Sequence, residues 1–347
     1  MTGVLCWVDA GPSVGLGHVS RGLALSEALA DCGLACRFAL PEDTTARAWL
    51  ESAGGRIAAI LSDSEPALPR VLAAAAGADA VIVDVRHALD RAEVRALGGT
   101  RPVVVVDNDG PGVFNADVVV APFGHARGER WLTGAAYIPL RRAFRLVGEL
   151  RTQRPPSPLV LVSMGGSDPG GLAVPALQGV ALAGARHPRL GVRVLANPAA
   201  PVWNRLAGVL RRHEFPPACA VDPTAMVGHL AEAAVAVLAM GVTVYEAMAC
   251  GVPSVVLCRT SADVAHARTL AARGAIVSLG QHWTEEQIGA AVAELLDAPG
   301  RCAAMSEAGR ALVDGRGAGR VAARLASMVG REHGAAGSRP ERSRVHA

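Results

Sequence analysis

A glycine-rich turn near the start of the chain carries a histidine that could act as a general base. Gly15-Leu16-Gly17-His18 lies between the first apolar strand, Val4–Val8, and the first segment with helical spacing. The glycines let the backbone approach a ligand closely, and the helix N-terminus beyond them favours negative charge. An imidazole at this edge of a sheet can exchange a proton near neutral pH. The alternative is a histidine that only stabilises the turn or caps the helix.

A second glycine-rich turn, which contains Gly166 and Ser167, directly follows the strand Leu159–Ser163. Consecutive glycines expose backbone N–H groups that can hold a phosphate. The same residues also fit an ordinary strand-to-helix turn, in which Asp168 and Pro169 begin the helix. The sequence leaves both interpretations open.

Residues 241–253 also have two interpretations. Thr243 and Glu246 have the spacing of a capping box, and Gly251 followed by Pro253 fits a helix stop. However, a helix N-terminus behind a glycine is also a site for a diphosphate, and a carboxylate one turn into the helix can accept both hydroxyls of a ribose. The stretch is therefore either a structural helix end or a nucleotide site.

Strands and helices must position these turns, and their order predicts an α/β doubly wound fold. Short apolar runs, two of them ending in aspartate, alternate with segments of helical spacing, as is typical of parallel strands covered on both faces. The predicted strands are Val4–Val8, Leu34–Ala39, Ala80–Asp84, Val103–Asp107, Asp117–Ala121, Leu159–Ser163, Val192–Ala196, Val235–Ala239, Ser254–Leu257 and Ala275–Ser278.

The α/β pattern restarts after a proline-rich stretch, so the chain is predicted to form two Rossmann-like domains that face each other across a cleft. The predicted boundaries are residues 1–152 for the N-terminal domain, 153–158 for the linker and 159–329 for the C-terminal domain. One long helix is expected at Ala303–Met328. A tail at 330–347, rich in arginine, glycine and serine, is predicted to be disordered.

The three motifs together resemble the GT-B nucleotide-sugar enzymes. They look like the UDP-sugar hydrolase of the pseudaminic acid pathway and its spore-coat polysaccharide relatives. The resembling stretches follow one another in family order, and they are GLGHVSRGLALSEAL, VIVD at Val81–Asp84, YIPLRRAF at Tyr137–Phe144, LVSMGGSDP, and AVAVLAMGVTVYEAMACGVPSVVL.

The resemblance implies a GT-B fold whose C-terminal domain holds the nucleotide. Glu246 would bind the ribose, and His18 matches the family's catalytic histidine, a base for the incoming nucleophile. The substrate-binding residues implied beside them are Gly15, Gly17, Gly166, Ser167, Gly241, Val242 and Thr243. The resemblance implies no cofactor and no metal.

The chain departs from the family hydrolase where the sugar or the acceptor would lie. Arg86 stands two positions after Asp84, where the hydrolase has an aromatic residue, and Asp263 lies in the stretch where it has an Asn-Gln pair. We include these three residues as candidates on the sugar side. The departures leave the nucleotide expectation intact and bear on which sugar is used.

A rival pattern is Asp107-Asn108-Asp109, which follows the strand Val103–Val106 and has the D-x-D form of the other glycosyltransferase fold. Paired carboxylates two positions apart can bind Mg²⁺ or Mn²⁺. The alternative is a polar turn at the end of a strand. A helix-terminus phosphate site would make a metal unnecessary, because backbone dipoles can stabilise a leaving diphosphate.

Composition limits the classes of function. The net charge of +3 is too small to indicate a nucleic-acid partner. Seven cysteines without a C-x-x-C pair indicate buried free thiols in a reducing compartment. We find no signal peptide and no apolar stretch of membrane-spanning length, so the chain is expected to be cytoplasmic without an integral membrane segment.

The sequence predicts an enzyme that uses a nucleotide-activated sugar, with a UDP-sugar favoured as donor. Transfer to a small-molecule or glycan acceptor is the leading hypothesis. Hydrolysis, with water as the acceptor, is the alternative within the same fold. A non-catalytic nucleotide-sugar-binding protein is a third hypothesis, and His18 argues against it because a sensor needs no group for proton transfer.

Overall fold

The chain forms two parallel β-sheets in a computed structural model that describes residues 3–334 apart from 12–13, 63, 125–127, 153–157, 166–167, 169, 199–201, 221 and 223–224. The first sheet contains β1 (Gly3–Val8), β2 (Ala35–Pro41), β3 (Arg56–Leu61), β4 (Ala80–Asp84), β5 (Val103–Val106), β6 (Val118–Ala121) and β7 (Trp131–Thr133). The second contains β8 (Leu159–Ser163), β9 (Gly191–Ala196), β10 (Cys219–Ala220), β11 (Val235–Ala239), β12 (Ser254–Leu257) and β13 (Val277–Gly280).

Helices cover both sheets. The helices that follow strands of the first sheet are α1 (Gly17–Asp31), α2 (Thr44–Ser52), α3 (Ala67–Ala74), α4 (Arg91–Gly98) and α5 (Arg142–Arg151). Those in the second half of the chain are α6 (Ala173–Gly184), α7 (Trp203–Arg212), α8 (Met226–Glu232), α9 (Val242–Cys250), α10 (Ser261–Ala272), α11 (Glu285–Asp297), α12 (Pro299–Leu312) and α13 (Gly317–Gly334).

The strand order determines where ligands can bind. The first sheet runs β3-β2-β1-β4-β5-β6-β7 and the second runs β10-β9-β8-β11-β12-β13. In each sheet the order reverses between two neighbouring strands, β1 and β4 in the first and β8 and β11 in the second. Open α/β sheets bind ligands at the carboxyl ends of the strands beside such a reversal. The turns after β1 and β11 lie at these two places.

The strands form where the sequence is apolar on both faces. Every residue of β4, β5, β11 and β12 is buried, since helices pack on each side of a parallel sheet. Asp84 is buried at the end of β4 among these apolar residues. A carboxylate in such a place needs a charged partner, because an unpaired buried charge is strongly disfavoured.

Two segments pack differently from the predicted domain division. Phe144 of α5 lies in the core of the second domain with Tyr245 of α9, and Gly148 allows the approach, because a Cβ there would lie 2.2 Å from the Ala249 carbonyl oxygen. Conversely, Leu325 of α13 lies in the core of the first domain. Each domain is therefore completed by a helix from the other half of the sequence.

The predicted helix Ala303–Met328 is two helices, because the chain turns between α12 and α13. Gly315 takes the left-handed conformation there, with φ of 68°. Helix α13 continues to Gly334, so residues 330–334 of the predicted tail are helical, whereas 335–347 lie outside the described residues. Of the predicted linker, 153–157 also lies outside them. No helix in the described ranges is long and apolar enough to span a membrane.

Candidate functional site in the interdomain cleft

A cleft of about 970 Å³ lies between the carboxyl edges of the two sheets. It brings together residues that are more than 200 positions apart in the sequence. The predicted site residues that line it are Gly15, Gly17, His18, Arg86, Gly241, Val242, Thr243, Glu246 and Asp263. The two predicted motifs after β1 and β11 therefore face one another in a single cavity.

The first wall of the cleft carries His18 at the start of α1. Its Nδ1 atom lies 2.7 Å from Oδ1 of Asp84, and the Asp84 side chain is 0% exposed. Although burial alone would raise the pKa of Asp84, the charge of Arg21 and hydrogen bonds from Arg21 and His18 hold it below its ordinary value. Asp84 is therefore an ionised carboxylate directly behind the imidazole.

The contact with Asp84 selects the imidazole tautomer. A proton on Nδ1 can be donated to the carboxylate, whereas a lone pair on Nδ1 would face a carboxylate oxygen at 2.7 Å and repel it. Nη2 of Arg21 also lies 3.0 Å from Nδ1, but it already donates to the same Oδ1 at the shorter distance of 2.7 Å. The Nδ1–H tautomer leaves Nε2 with a free lone pair, which is the arrangement a general base requires. His18 lines the cleft, so its imidazole is in reach of a ligand there.

Arg21 completes a buried network that the sequence analysis missed. Its Nε and Nη2 atoms each donate to Asp84 at 2.7 Å, and its Nη1 lies 3.4 Å from Oδ2 of Asp107. The signal in the sequence was an arginine three positions after His18, in the first turns of α1. Such an arginine is ordinarily a surface residue, and only the contact with Asp84, 63 positions away, indicates its role.

The opposite wall of the cleft is the N-terminus of α9. Its N-cap is Gly241, in an extended conformation with φ of 167°, and among the described residues no side chain caps the helix. Of the two interpretations of this stretch, the capping box of Thr243 and Glu246 is therefore wrong, because the helix begins at Val242. The first N–H groups of a helix lack intrahelical carbonyl partners, so those of Val242 and Thr243 are available to an anion.

Glu246 lies one turn into α9 and is 6% exposed. Burial raises its pKa from 4.5 to about 7, while the charge of Arg141 and hydrogen bonds from Ser20 and Thr243 act in the opposite direction. Ser20 belongs to α1, so this carboxylate joins the two walls of the cleft. The ionised form is poorly stabilised here and would gain from additional hydrogen-bond donors.

Comparison of the whole chain with known protein sequences finds one spore-coat relative. The chain is 29% identical over 203 residues to the spore coat polysaccharide biosynthesis protein SpsG of Bacillus subtilis strain 168. The match covers 57% of this chain and 59% of that protein. It confirms the resemblance to the spore-coat polysaccharide proteins. No protein family model matches the chain.

Solved structures resemble the chain over nearly its full length. The UDP-GlcNAc 2-epimerase of Neisseria meningitidis bound to UDP-GlcNAc has a TM-score of 0.65 at 12% identity, covering 93% of this chain and 99% of the epimerase. The spinosyn forosaminyltransferase SpnP has a TM-score of 0.62 at 18% identity, covering 95% and 99%. The chain has the GT-B fold. The predicted architecture of two Rossmann-like domains facing across a cleft is thereby confirmed.

Three of the predicted site residues do not line the cleft as described. One of them is buried behind it, and the other two lie outside the described residues. Asp84 was expected to bind substrate, but it is buried behind His18 and both of its oxygens are engaged. Gly166 and Ser167 lie outside the described residues. Near them, the Oγ atom of Ser163 is buried and has no hydrogen-bond partner in the described part of the chain.

Asp263 lines the GT-B cleft, but its carboxylate has a structural role. It forms a capping box with Thr260 at the start of α10, and its Oδ2 accepts the N–H groups of Arg259 and Thr260 at 2.9 and 3.0 Å. The sequence Thr260-Ser261-Ala262-Asp263 contains this signal. The predicted contact of Asp263 with the sugar therefore has a competing explanation.

Arg86 lies on the same wall as His18 and is exposed in the cleft. Its backbone N–H donates to Oδ2 of Asp9 at 2.6 Å, which fixes the turn after β4. The expectation that it lies on the sugar or acceptor side of the cleft stays a prediction.

The D-x-D pattern forms a polar turn after β5. The Asn108 side chain bonds to backbone atoms of Leu89, Gly110, Val85 and His87, and Asp107 faces Arg21. Within the described residues, no group of three or more histidine, cysteine, aspartate or glutamate side chains is arranged to hold a metal ion. These contacts give the pattern a structural role, because they join two loops at the edge of the first sheet.

The raised pKa of Glu246 predicts that stability falls as pH rises. The folded protein binds this proton up to about pH 7, and the unfolded chain releases it near 4.5, so the stabilisation is complete below 4.5 and lost as pH rises through 7. We expect the free energy of unfolding of the wild type to fall by on the order of 3 kcal/mol between pH 5 and 8. In Glu246→Gln this fall should be absent. Urea unfolding of both proteins at the two pH values measures it. Equal pH dependence in both would contradict the burial argument.

Proposed function

We propose that the protein is a glycosyltransferase-like enzyme that uses a UDP-sugar donor in the synthesis of a polysaccharide, glycoconjugate or modified sugar. The observation that carries the proposal is the pairing of two features in one cleft. His18, backed by the Asp84 carboxylate, lies on one wall, and the uncapped N-terminus of α9 with Glu246 lies on the other. A general base on one wall thus faces a site on the other wall that suits a diphosphate and the two hydroxyls of a ribose.

The α9 wall has the chemistry to hold a nucleoside diphosphate. Val242 and Thr243 present N–H groups at the positive end of the helix dipole, which favours a diphosphate. Glu246 can accept both hydroxyls of a ribose, and charge-assisted hydrogen bonds of this kind are the strong ones. The structural relative from Neisseria meningitidis is itself bound to UDP-GlcNAc, which supports UDP as the nucleotide.

His18 would activate the acceptor on the facing wall. A bond forms between the acceptor oxygen and the anomeric carbon while the bond from that carbon to the diphosphate oxygen breaks. The electron pair of the broken bond leaves with UDP, and the acceptor proton passes to Nε2 of His18. The helix dipole of α9 stabilises the charge that develops on the leaving diphosphate.

Turnover of nucleotide sugars by the full chain tests the proposal. We would incubate it with a panel of UDP-, GDP-, TDP- and CMP-sugars, with and without a cell extract as the source of acceptor, and follow release of the nucleotide. The expected result is UDP release that depends on the acceptor. UDP release without any acceptor would indicate hydrolysis instead. Binding of UDP without turnover of any sugar would contradict an enzymatic role.

We further expect UDP binding to require no divalent metal. The α9 N-terminus supplies the electrostatic stabilisation, and Asp107 and Asn108 are already engaged with protein groups. Calorimetry of UDP binding with EDTA and with added Mg²⁺ should give affinities that agree within about tenfold, or 1.4 kcal/mol. A larger loss in EDTA would restore Asp107 and Asp109 as a metal site.

A further inference from the structure

We propose that Arg21 is a positioning residue that holds the Asp84 carboxylate in the orientation that makes His18 a base. The proposal rests on the proposed function, in which His18 accepts a proton from the nucleophile. Arg21 lines the cleft, but its guanidinium is engaged with Asp84, His18 and Asp107, so we expect its effect on the reaction to pass through Asp84 and His18.

Arg21 contacts Asp84 through two parallel hydrogen bonds and not through a single ion pair. Nε donates to Oδ2 and Nη2 to Oδ1 of Asp84, both at 2.7 Å, which fixes the plane of the carboxylate. Oδ1 is the atom that receives Nδ1–H of His18 at 2.7 Å. Nη2 of Arg21 also lies 3.0 Å from Nδ1 of His18, so the guanidinium fixes the imidazole both through the carboxylate and by direct contact.

Burial makes this arrangement dependent on Arg21. Asp84 is 0% exposed and Arg21 is 5% exposed, so neither side chain can exchange its partner for water. Without a cation beside it, a carboxylate in this position would be protonated or would rotate toward other donors. A neutral Asp84 could donate a hydrogen bond to Nδ1, and the imidazole would then place its proton on Nε2, where the base must be free.

Other charged and titratable groups surround this network, and a change of pH acts on them too. Asp107 lies against Arg21 at 3.4 Å, with its pKa raised by burial. The groups that interact with Asp84 or Asp107 from neighbouring elements are Cys6 on β1, Asp109 after β5 and Tyr245 on α9. Arg21 is the cation at the centre of this set.

The test compares Arg21→Lys and Arg21→Gln with a matched control, Arg47→Lys, in which the replaced arginine lies exposed on α2. Lysine keeps the charge but cannot form the two parallel hydrogen bonds. We expect Arg21→Lys to lower kcat by roughly 10- to 100-fold with KM for the donor and UDP affinity nearly unchanged. Arg21→Gln removes the charge as well as the paired hydrogen bonds, and we expect it to lower kcat at least as much.

A second readout does not depend on activity. Long-range ¹H–¹⁵N spectra distinguish the tautomers of the ten histidines, and His18→Asn assigns the signal of His18. We expect the Nδ1–H tautomer in the wild type and in Arg47→Lys, and a mixture of tautomers in Arg21→Lys. Native kcat together with the native tautomer in Arg21→Lys would overturn the proposal. If the wild type turns over no nucleotide sugar, the proposed function fails, and the tautomer spectra still decide whether Arg21 positions His18.

Discussion

Replacing His18 with asparagine is expected to lower turnover by about 10²- to 10⁴-fold while UDP affinity stays close to the wild-type value. The reason is that the predicted base and the predicted nucleotide contacts lie on different walls of the cleft. His18 lies at the start of α1 on the first domain, and the predicted nucleotide contacts lie on α9 of the second. Loss of the base removes the acceptor for the nucleophile's proton but leaves the diphosphate and ribose contacts in place. Steady-state kinetics and calorimetry on the same preparation measure both quantities.

The matched control for this variant is His87→Asn. His87 is exposed on the same domain and pairs with Glu93 at 3.1 Å outside the cleft, so its replacement should leave turnover at the wild-type level. If His18→Asn keeps more than about a tenth of wild-type turnover, His18 is a residue of the turn and not the base. The proton would then have to pass to another group on that wall, for which the Asp107 carboxylate is in position.

Replacing Glu246 with alanine is expected to weaken UDP by on the order of 2–4 kcal/mol, roughly 30- to 1,000-fold, while affinity for the bare base uracil changes little. The expectation rests on a single carboxylate that accepts both ribose hydroxyls. Ser20 donates to the same carboxylate in the structure, so a bound ribose would replace that hydrogen bond between the two walls. Calorimetry with UDP, uridine and uracil separates the contributions of the diphosphate, the ribose and the base.

The pH dependence of UDP binding provides an independent check on the role of the Glu246 carboxylate. Since burial raises the pKa of Glu246 to about 7, the ionised form that accepts the hydroxyls becomes prevalent as pH rises. UDP affinity of the wild type should increase about tenfold from pH 6 to pH 8, and the increase should be smaller in Glu246→Gln. Glu294→Ala, at an exposed carboxylate of α11, should behave as the wild type. Equal affinity for UDP in Glu246→Ala and the wild type would leave the residue a purely structural role.

Strands and the turns behind them could be predicted from the sequence, because they depend on local apolar runs. Ala80–Asp84, Leu159–Ser163, Val235–Ala239 and Ser254–Leu257 have the predicted bounds. The helix stop at Gly251 is also confirmed, since this residue caps α9 in the left-handed conformation. Several short or amphipathic elements, among them α2, β3 and α8, carry weaker periodic signals and were not predicted.

What could not be predicted depends on contacts between distant residues. Asp84 was identified as a polar residue at a strand end, but its partners lie on α1, and only the parallel pairing of β1 with β4 brings them together. Arg21 was missed for the same reason. The capping box was placed at Thr243 because its spacing pattern is local, whereas the start of α9 at Val242 is determined by the extended Gly241. The roles predicted for His18 and Glu246 remain predictions.

Because α5 packs in the second domain and α13 in the first, the chain cannot be divided into its domains by a single cut. This matters for chimaeras in which one domain is replaced by that of a relative. A cut in the proline-rich region near residue 155 would separate α5 from α9 and leave α1 without the apolar face of α13, formed by Val321, Leu325 and Val329. A transplantable first domain would instead consist of the chain up to the turn before α5 together with α13. Its two junctions lie about 180 residues apart in the sequence but next to each other in space, where Gly317 approaches the carbonyl of Ile138.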